Sequence, residues 1–598
     1  MASDSRRAVA ARDIGRDSRL RAVARCGDQA RRVRAHGVVD DSGNSQFSHS
    51  QGLPERSLPT ADGPSRVGGT KGVLRVLGRS RRGTRRYAAR ILTAHSEETV
   101  IELSDAQRGQ PRQAARRGGR PDPPRRRAAT ADAHIVLPTI DGQSFASLRR
   151  RATPRAERYA LGKRLRKQAP RSTLGEWRAP DDRPDVVDQI GVSHQGRVES
   201  LIPVRVGRMA ASPYGFLRGT AIVMAQDLAG LPATGIQPVI CGDAHLGNFG
   251  FYASPERDLV LDLNDFDEAH PGGWEWDLRR LTASIWVAGR QNSATEGQCE
   301  SAVQSCVATY REHVRWLAEQ PLLARSFERL DLDRLQTTAS DESLRHEITR
   351  AAERARRRVS DRALPRFTEQ DETGRRIVEE PPLITRVSEA EAEQIAAGLD
   401  EYLTTLPSHW ARLLSGYTVV DVAHKVVGVG SVGLRAYVVL CEGSSADDVV
   451  FLQLKQARRS VVARFVHGES AWHDHQGRRV VEYQQALQTV SDPLLGWTTV
   501  EGRQYYVRQF RNMKGAVPID HLSAAALTDY AGICGRLLAK GHARTSGASM
   551  IGGYVGKSDT LVVALSRFAH AYADQTERDH ATLVDAVKRG KLPCEPPT

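Results

Sequence analysis

The whole of this chain's net charge, +15, lies in its first quarter, and that asymmetry decides where a core can form. Residues 1–150 hold 30 Lys and Arg against 15 Asp and Glu, whereas the other 448 residues hold 56 of each. Of the 30 basic residues only Lys71 is a lysine, and runs such as Arg79-Ser80-Arg81-Arg82 and Pro123-Pro124-Arg125-Arg126-Arg127 leave no sustained apolar periodicity. Such a composition buries too little apolar surface to offset chain entropy, so 1–150 is expected to be a disordered basic extension. It reads as a solvated tail, as arginine-rich coding sequence upstream of the true start, or as an arm for nucleic acid. Nucleic acid is not expected as a partner of the net-neutral remainder. No stretch approaches the ~20 apolar residues of a membrane helix, and the Arg-rich start has no apolar run for a secretory signal. The seven cysteines form no C-x-x-C pair, which points away from zinc and disulfides and toward a reducing cytoplasm.

Ordered structure is expected from about residue 158. Residues 214–231 are spaced as one helix ending at Gly230, and 237–241 and Leu259–Leu263 read as short strands. Residues 275–320, 340–358 and 388–414 read as helical, with a hairpin around 371–374. From 416 the texture is β-rich, over 416–427, 434–441, 448–456, 497–500 and 504–510, with one helix near 476–490. Helical spacing returns over 521–543 and 558–588. The expected organisation is therefore 1–150, 151–415, 416–515 and 516–598.

Two polar loops carry the chemistry. Gly242-Asp243-Ala244-His245-Leu246-Gly247-Asn248-Phe249 is followed, after the next strand, by Asn264-Asp265-Phe266-Asp267-Glu268. Phosphoryl transfer needs a carboxylate to orient or deprotonate the accepting hydroxyl, and oxygen ligands that hold magnesium against phosphates. Asp243 suits the first task; Asn248 and Asp265 suit the second. Glycines at 242 and 247 permit the tight loop this requires. His245 is a candidate either for supporting the loop or for a direct chemical role. Each residue taken singly also fits a turn-capping role.

Further along lies Gly428-Val429-Gly430-Ser431-Val432-Gly433, a G-x-G-x-x-G. A dinucleotide fold would follow it with a helix. Here it leads into a strand, a Gly/Ser/Asp turn at 443–448 and a third strand running to Lys455. Strand, glycine loop, strand, turn and strand ending in lysine suits a phosphate-covering hairpin with a phosphate-binding lysine. Gly428, Gly430, Ser431, Gly433 and Lys455 are the nucleotide-binding candidates. This strand order resembles that of a kinase small lobe, which implies Glu482, on the helix near 476–490, as the partner of Lys455 and an adenine site near the end of the 504–510 strand.

The first loop resembles the H-G-D-x-H-x-x-N of the aminoglycoside-phosphotransferase and choline-kinase-like branch of the protein-kinase superfold, with Cys241 in place of its histidine. Asp265-Phe266-Asp267 resembles the same branch's metal motif, which implies Asp265 and Asp267, with Asn248, as metal ligands. Gly273-Trp274-Glu275-Trp276-Asp277-Leu278 looks like its G-D-P-x-x-D-L-A element, which implies that Asp277 braces the catalytic loop. The lobes stand in reversed order, and 522–544 resembles the helix that precedes the catalytic loop in that branch. The resemblance therefore implies an α+β, two-lobed, protein-kinase-like fold, circularly permuted, with the large-lobe catalytic segment ahead of the β-rich small lobe. Residues 158–590 also resemble the bacterial domain of unknown function 2252 family, through 212–219, 242–249, 264–281, 425–435, 506–515 and 572–579.

The expected activity is an ATP- and magnesium-dependent phosphotransferase acting on an unidentified small-molecule or protein acceptor, with whole-nucleotide transfer equally open. The alternatives are a catalytically inactive nucleotide-binding regulator and a two-metal phosphoesterase, whose signature also begins Gly-Asp-Ala-His. No Gly-Asn-His segment accompanies it. Arg218, Arg508 and Lys514 are candidate phosphate contacts, solvated basic groups being the ordinary alternative.

Overall fold

The computed structural model describes residues 153–372, 374–426, 428–466, 473–545 and 547–595. The 1–150 extension, with its expected disorder and nucleic-acid arm, lies outside them. Mixed α and β structure is present, with a helical body, one six-stranded antiparallel sheet and three two-stranded ones among the described residues.

Helical periodicity sets the body. The expected 214–231 helix is split at Thr220, whose hydroxyl donates to the Phe216 carbonyl oxygen at 2.8 Å, giving helices Pro213–Gly219 and Ala221–Ala229. A side chain that bonds back to its own turn competes with the helix ladder there. Residues 275–320 also form two helices, Trp274–Gln291 and Glu296–Glu319. The second opens on a capping box, in which Thr295 and Gln298 each accept the other's backbone N–H.

Four short strands carry the first polar loops. β1 (Val239–Ile240) pairs with β4 (His270–Pro271), and β2 (Phe249–Ala253) with β3 (Leu259–Leu263), all antiparallel and buried throughout. β2 escapes a sequence reading because Gly250 interrupts its aromatic run. The hairpin expected around 371–374 is β5 (Thr368–Asp371) with β6 (Gly374–Ile377).

The β-rich stretch forms the sheet. Its strands are β7 (Ile384–Arg386), β8 (Thr418–Lys425), β9 (Ala436–Glu442), β10 (Val449–Gln456), β11 (Gly496–Val500) and β12 (Arg503–Gln509), in spatial order β11-β12-β10-β9-β8-β7. All neighbours are antiparallel. The sheet recruits chain from before the expected boundary at 416. β7 joins its edge, and helix Glu389–Thr405 buries Ile395, Leu399 and Tyr402 in one cluster with Tyr437, Val439 and Leu454. Side chains of this kind each gain roughly 1.5–3 kcal/mol on burial. A helix's apolar stripe announces that it packs, without naming the layer it packs on. Helix Gln476–Leu487 lies on β11 and β12.

The chain then returns to the body. Helix Ala524–Arg544 packs along Glu296–Glu319, with Leu527, Tyr530, Cys534, Leu537 and Leu538 in the main core. Just past its end, Thr545 Oγ1 accepts the Val239 N–H at 3.2 Å, so that this helix ends against the start of β1 although 306 positions separate the two residues. Helices Ala548–Val555 and Thr560–Lys588 complete the body. Among the described residues no helix is long and apolar enough to cross a membrane.

Candidate active site

One stripe of helix Trp274–Gln291 holds the loop that runs from β1 to β2. Residues at i, i+3 and i+7 share a helix face, and here they are Asp277, Arg280 and Ser284. Asp277 accepts the Cys241 N–H at 2.6 Å and the Gly242 N–H at 2.8 Å, Arg280 Nε donates to Asp243 Oδ1 at 2.5 Å, and Ser284 Oγ accepts the Leu246 N–H at 2.9 Å. Behind Asp277 stand His542, whose Nε2 is 3.2 Å away, and Tyr310, whose hydroxyl meets His542 Nδ1 at 2.8 Å. Gly242 takes φ +75°, and a Cβ there would collide with the Glu268 carbonyl oxygen.

Within the loop, Asn248 Nδ2 donates to the Asp243 carbonyl oxygen at 2.6 Å, which leaves the Asn248 Oδ1 for a cation. The Cys241 thiol reaches the Asp265 carbonyl oxygen at 3.3 Å and ties this loop to the next. Asp243 itself keeps 18% of its side chain exposed to the cleft. Burial raises its pKa, the Arg280 charge works against that rise, and the acidity of Asp265 and Glu268 adds to it; the carboxyl is pushed up to about 7.

The sheet brings the opposite wall. Lys455, 3% exposed, places Nζ 2.5 Å from Asp267 Oδ2 and 3.6 Å from Asp265 Oδ1. Burial opposes charge on this ammonium, but Asp265 and Asp267 outweigh it and raise its pKa. Burial likewise works to raise Asp267, yet Lys455 and the Ser431 hydroxyl hold it below the usual carboxylate range. Ser431, in the glycine turn between β8 and β9, donates to Asp267 Oδ2 at 3.0 Å across 164 positions of chain. Asp243, Asn248, Asp265, Asp267, Gly428, Gly430 and Ser431 thus line one cleft of about 230 Å³. Gly433, at φ +85°, closes the turn.

One expectation is corrected. Glu482 does not pair with Lys455; it accepts from Arg478 Nε at 2.8 Å and meets His473 Nε2 at 2.9 Å. The link from its helix to the site is Arg479, which donates to the Ala269 and Asp267 carbonyl oxygens at 2.5 and 2.7 Å. Near the end of β12, where an adenine site was expected, lies a cavity lined by Phe251 and Tyr252 together with Asp492, Arg508, Asn512 and Lys514. His245 is buried in a supporting position. Its Nδ1 accepts the Gly247 N–H at 3.1 Å, and burial, with Arg218 and Arg280 nearby, keeps its pKa well below the histidine norm. The ring is therefore neutral at neutral pH, with its proton on Nε2.

Several contributors were not foreseen. Arg280 stood one helical turn beyond Asp277, and that i, i+3 spacing was a usable signal. Arg197 and Arg205 carried none, because they come from a turn and a helix far upstream. Arg197 donates to the Gly430 and Val432 carbonyl oxygens at 2.9 and 2.5 Å and anchors the glycine turn. Arg205, 1% exposed, spends one nitrogen on the Gly219 carbonyl oxygen at 2.7 Å and has two buried N–H groups without a partner. Arg218 lines the same cleft, half-buried, with its Nε also unpartnered. Acidic oxygens on one side and unpaired guanidinium groups on the other suit an anionic ligand that bridges them.

Residues 197–586 match the family described as "Uncharacterized protein conserved in bacteria (DUF2252)". No curated protein and no solved structure matches the chain.

Proposed function

The chain belongs to the DUF2252 family, a membership that brings no reaction with it, and from the chemistry of the site we propose an ATP- and magnesium-dependent phosphotransferase of permuted, protein-kinase-like build. The observation that carries this reading is that Lys455, from beneath, and Ser431 both meet the Asp265–Asp267 pair that lines the cleft. Three features support it further. The β8, glycine turn, β9, turn, β10 order ends on the lysine that faces the acidic group. Asp277 braces the loop through its backbone, as the resemblance implied. The Thr545–Val239 contact sets the Ala524–Arg544 helix where a non-permuted chain would continue into the loop.

The residues present fit magnesium. Asp265 and Asp267 each have a buried Oδ1 without a hydrogen-bond partner, and Asn248 offers an amide oxygen. Magnesium takes one or two carboxylates together with water and phosphate oxygens, and bound there it would neutralise phosphate charge. Among the described residues no group of three or more His, Cys, Asp or Glu could hold a metal, which weighs against the two-metal phosphoesterase. Asp243 takes the proton of the acceptor hydroxyl as its oxygen attacks the terminal phosphorus, and ADP departs. Arg280 fixes the angle of that carboxyl. Lys455 exchanges an aspartate oxygen for a phosphate oxygen, and Arg205 and Arg218 supply further donors.

Calorimetry on purified protein should find ATP binding that depends on magnesium, and Asp265→Ala should remove that dependence. Unaltered metal-dependent binding would take Asp265 out of its role. Slow ATP turnover that vanishes in Asp243→Ala separates an enzyme from a silent nucleotide binder.

A further inference from the structure

A second cavity, of about 180 Å³, shares Asp265 with the main cleft. Phe251 and Tyr252 line it from β2, Gln484 from helix Gln476–Leu487, Gln488 from just past that helix's end, Arg508 from β12, and Asn512 and Lys514 from the segment that follows. The three basic candidates named from the sequence, Arg218, Arg508 and Lys514, are each half-buried.

The cavity has cations without contacting anions. Asp492, on its wall, has both oxygens occupied: Oδ2 accepts the Gln509 N–H at 2.7 Å, and Oδ1 accepts from Leu494 N at 3.0 Å and Gln509 Nε2 at 3.1 Å. Arg508 donates through Nε to the Gln453 Oε1 at 3.1 Å and lies over the Tyr506 ring, with no ion pair among the described residues. The Lys514 ammonium has neither a hydrogen bond nor an ion pair among the described residues. Burial, with the Arg508 charge beside it, pushes its pKa well below the lysine norm. Gln484, 5% exposed, gives Nε2 to the Gln488 Oε1 at 3.1 Å and leaves its own Oε1 buried and unpartnered. An anion that also carries a hydrogen-bond donor would satisfy these groups. A nucleobase brings no charge to pair with Arg508 and Lys514, which Asp265 and Asp492 offset only from beyond ion-pair distance. A phosphate monoester meets both needs, with oxygens for Arg508 and Lys514 and a hydroxyl for Gln484.

We propose that this cavity is a phosphate-binding subsite, in which Arg508 and Lys514 hold the oxygens and Gln484 accepts from the protonated one. The subsite deepens the phosphotransferase reading and rests on it only for the origin of the phosphate, which is either the nucleotide's terminal group or a phosphorylated acceptor.

The probe is inorganic phosphate, titrated calorimetrically into the full chain without nucleotide. Arg508→Gln and Lys514→Met should each weaken binding about tenfold or more, the scale of one charge-assisted hydrogen bond. Lys514→Arg, which keeps the charge, should retain most of it and excludes simple misfolding as the cause. Undetectable phosphate binding by the unaltered protein, or equal binding by all variants, overturns the subsite. Magnesium-dependent ATP binding in the main cleft would survive that result, so the two readings fail separately. The source follows from ATP and ADP affinities. If the nucleotide supplies the phosphate, Lys514→Met levels a preference for ATP over ADP. If an acceptor supplies it, both nucleotide affinities stay unchanged while the phosphate affinity falls.

Discussion

On the acidic side of the cleft, the 241–248 loop is held by three side chains of one helix, by Asn248 from within and by the Cys241 thiol's bond to the Asp265 carbonyl oxygen of the neighbouring loop. On the basic side, the glycine turn is held by Arg197 through two carbonyl oxygens and by the single Ser431 bond to Asp267. Gly428 and Gly430 are exposed, whereas Asn248 is buried. The first wall is fixed before any ligand arrives, because losing any one bond leaves several others in place. The second is positioned largely by what lies beneath it. The difference teaches that the acidic wall is set by its own braces whereas the turn is left room to adjust; on the proposed reading the turn and Lys455 are what would accommodate the phosphates.

The largest test of this contrast is Asp243→Asn, which should lower ATP turnover about 10²- to 10⁴-fold while leaving nucleotide affinity nearly intact. Turnover by the unaltered protein should rise with pH through about 7, because a general base works deprotonated and Asp243 titrates there. A profile flat from pH 5.5 to 8.5 would deny it that role. Next comes Asp277→Ala, which strands two backbone N–H groups and His542, and should cost about 3–5 kcal/mol in urea unfolding. A loss under about 1 kcal/mol would mean that the acidic wall is not braced as described.

The basic wall predicts smaller numbers. Lys455→Met should weaken ATP about 10- to 100-fold by calorimetry, as removal of one charged hydrogen-bond donor does, whereas Glu482→Ala should leave ATP affinity within about twofold, since an ion pair with Arg478 alone contributes little. Equal losses in the two would restore Glu482 as the partner of Lys455. Ser431→Ala should cost about 1 kcal/mol of ATP binding, roughly fivefold. A loss as large as that of Lys455→Met would erase the contrast between an anchored wall and an adjustable one.

Legibility followed chain distance. The 242–249 and 264–268 loops were readable because the residues of each lie close enough for spacing to limit their geometry, and the Asp277 brace was implied by the family resemblance of 273–278. The strand, glycine turn and lysine order was readable for the same reason, since antiparallel neighbours joined by short turns need no distant partner. Arg280 and Ser284 were partly legible as a stripe. Glu482 was misassigned because a helix position says which way a residue faces, not which cation it meets; His473 and Arg478, local to it, reached it first.

The sequence by itself determined which residue types stand at each loop and turn, because backbone freedom at Gly242 and Gly433 and the strand and helix periods act over a few residues. Only the tertiary structure decided that Lys455 lies on Asp267, that Arg197 carries the glycine turn, and that Gln484, Arg508 and Lys514 share a cavity. Those pairings join segments whose contact is set by how helices and the sheet pack, and packing couples positions far apart without leaving a mark on the spacing of either.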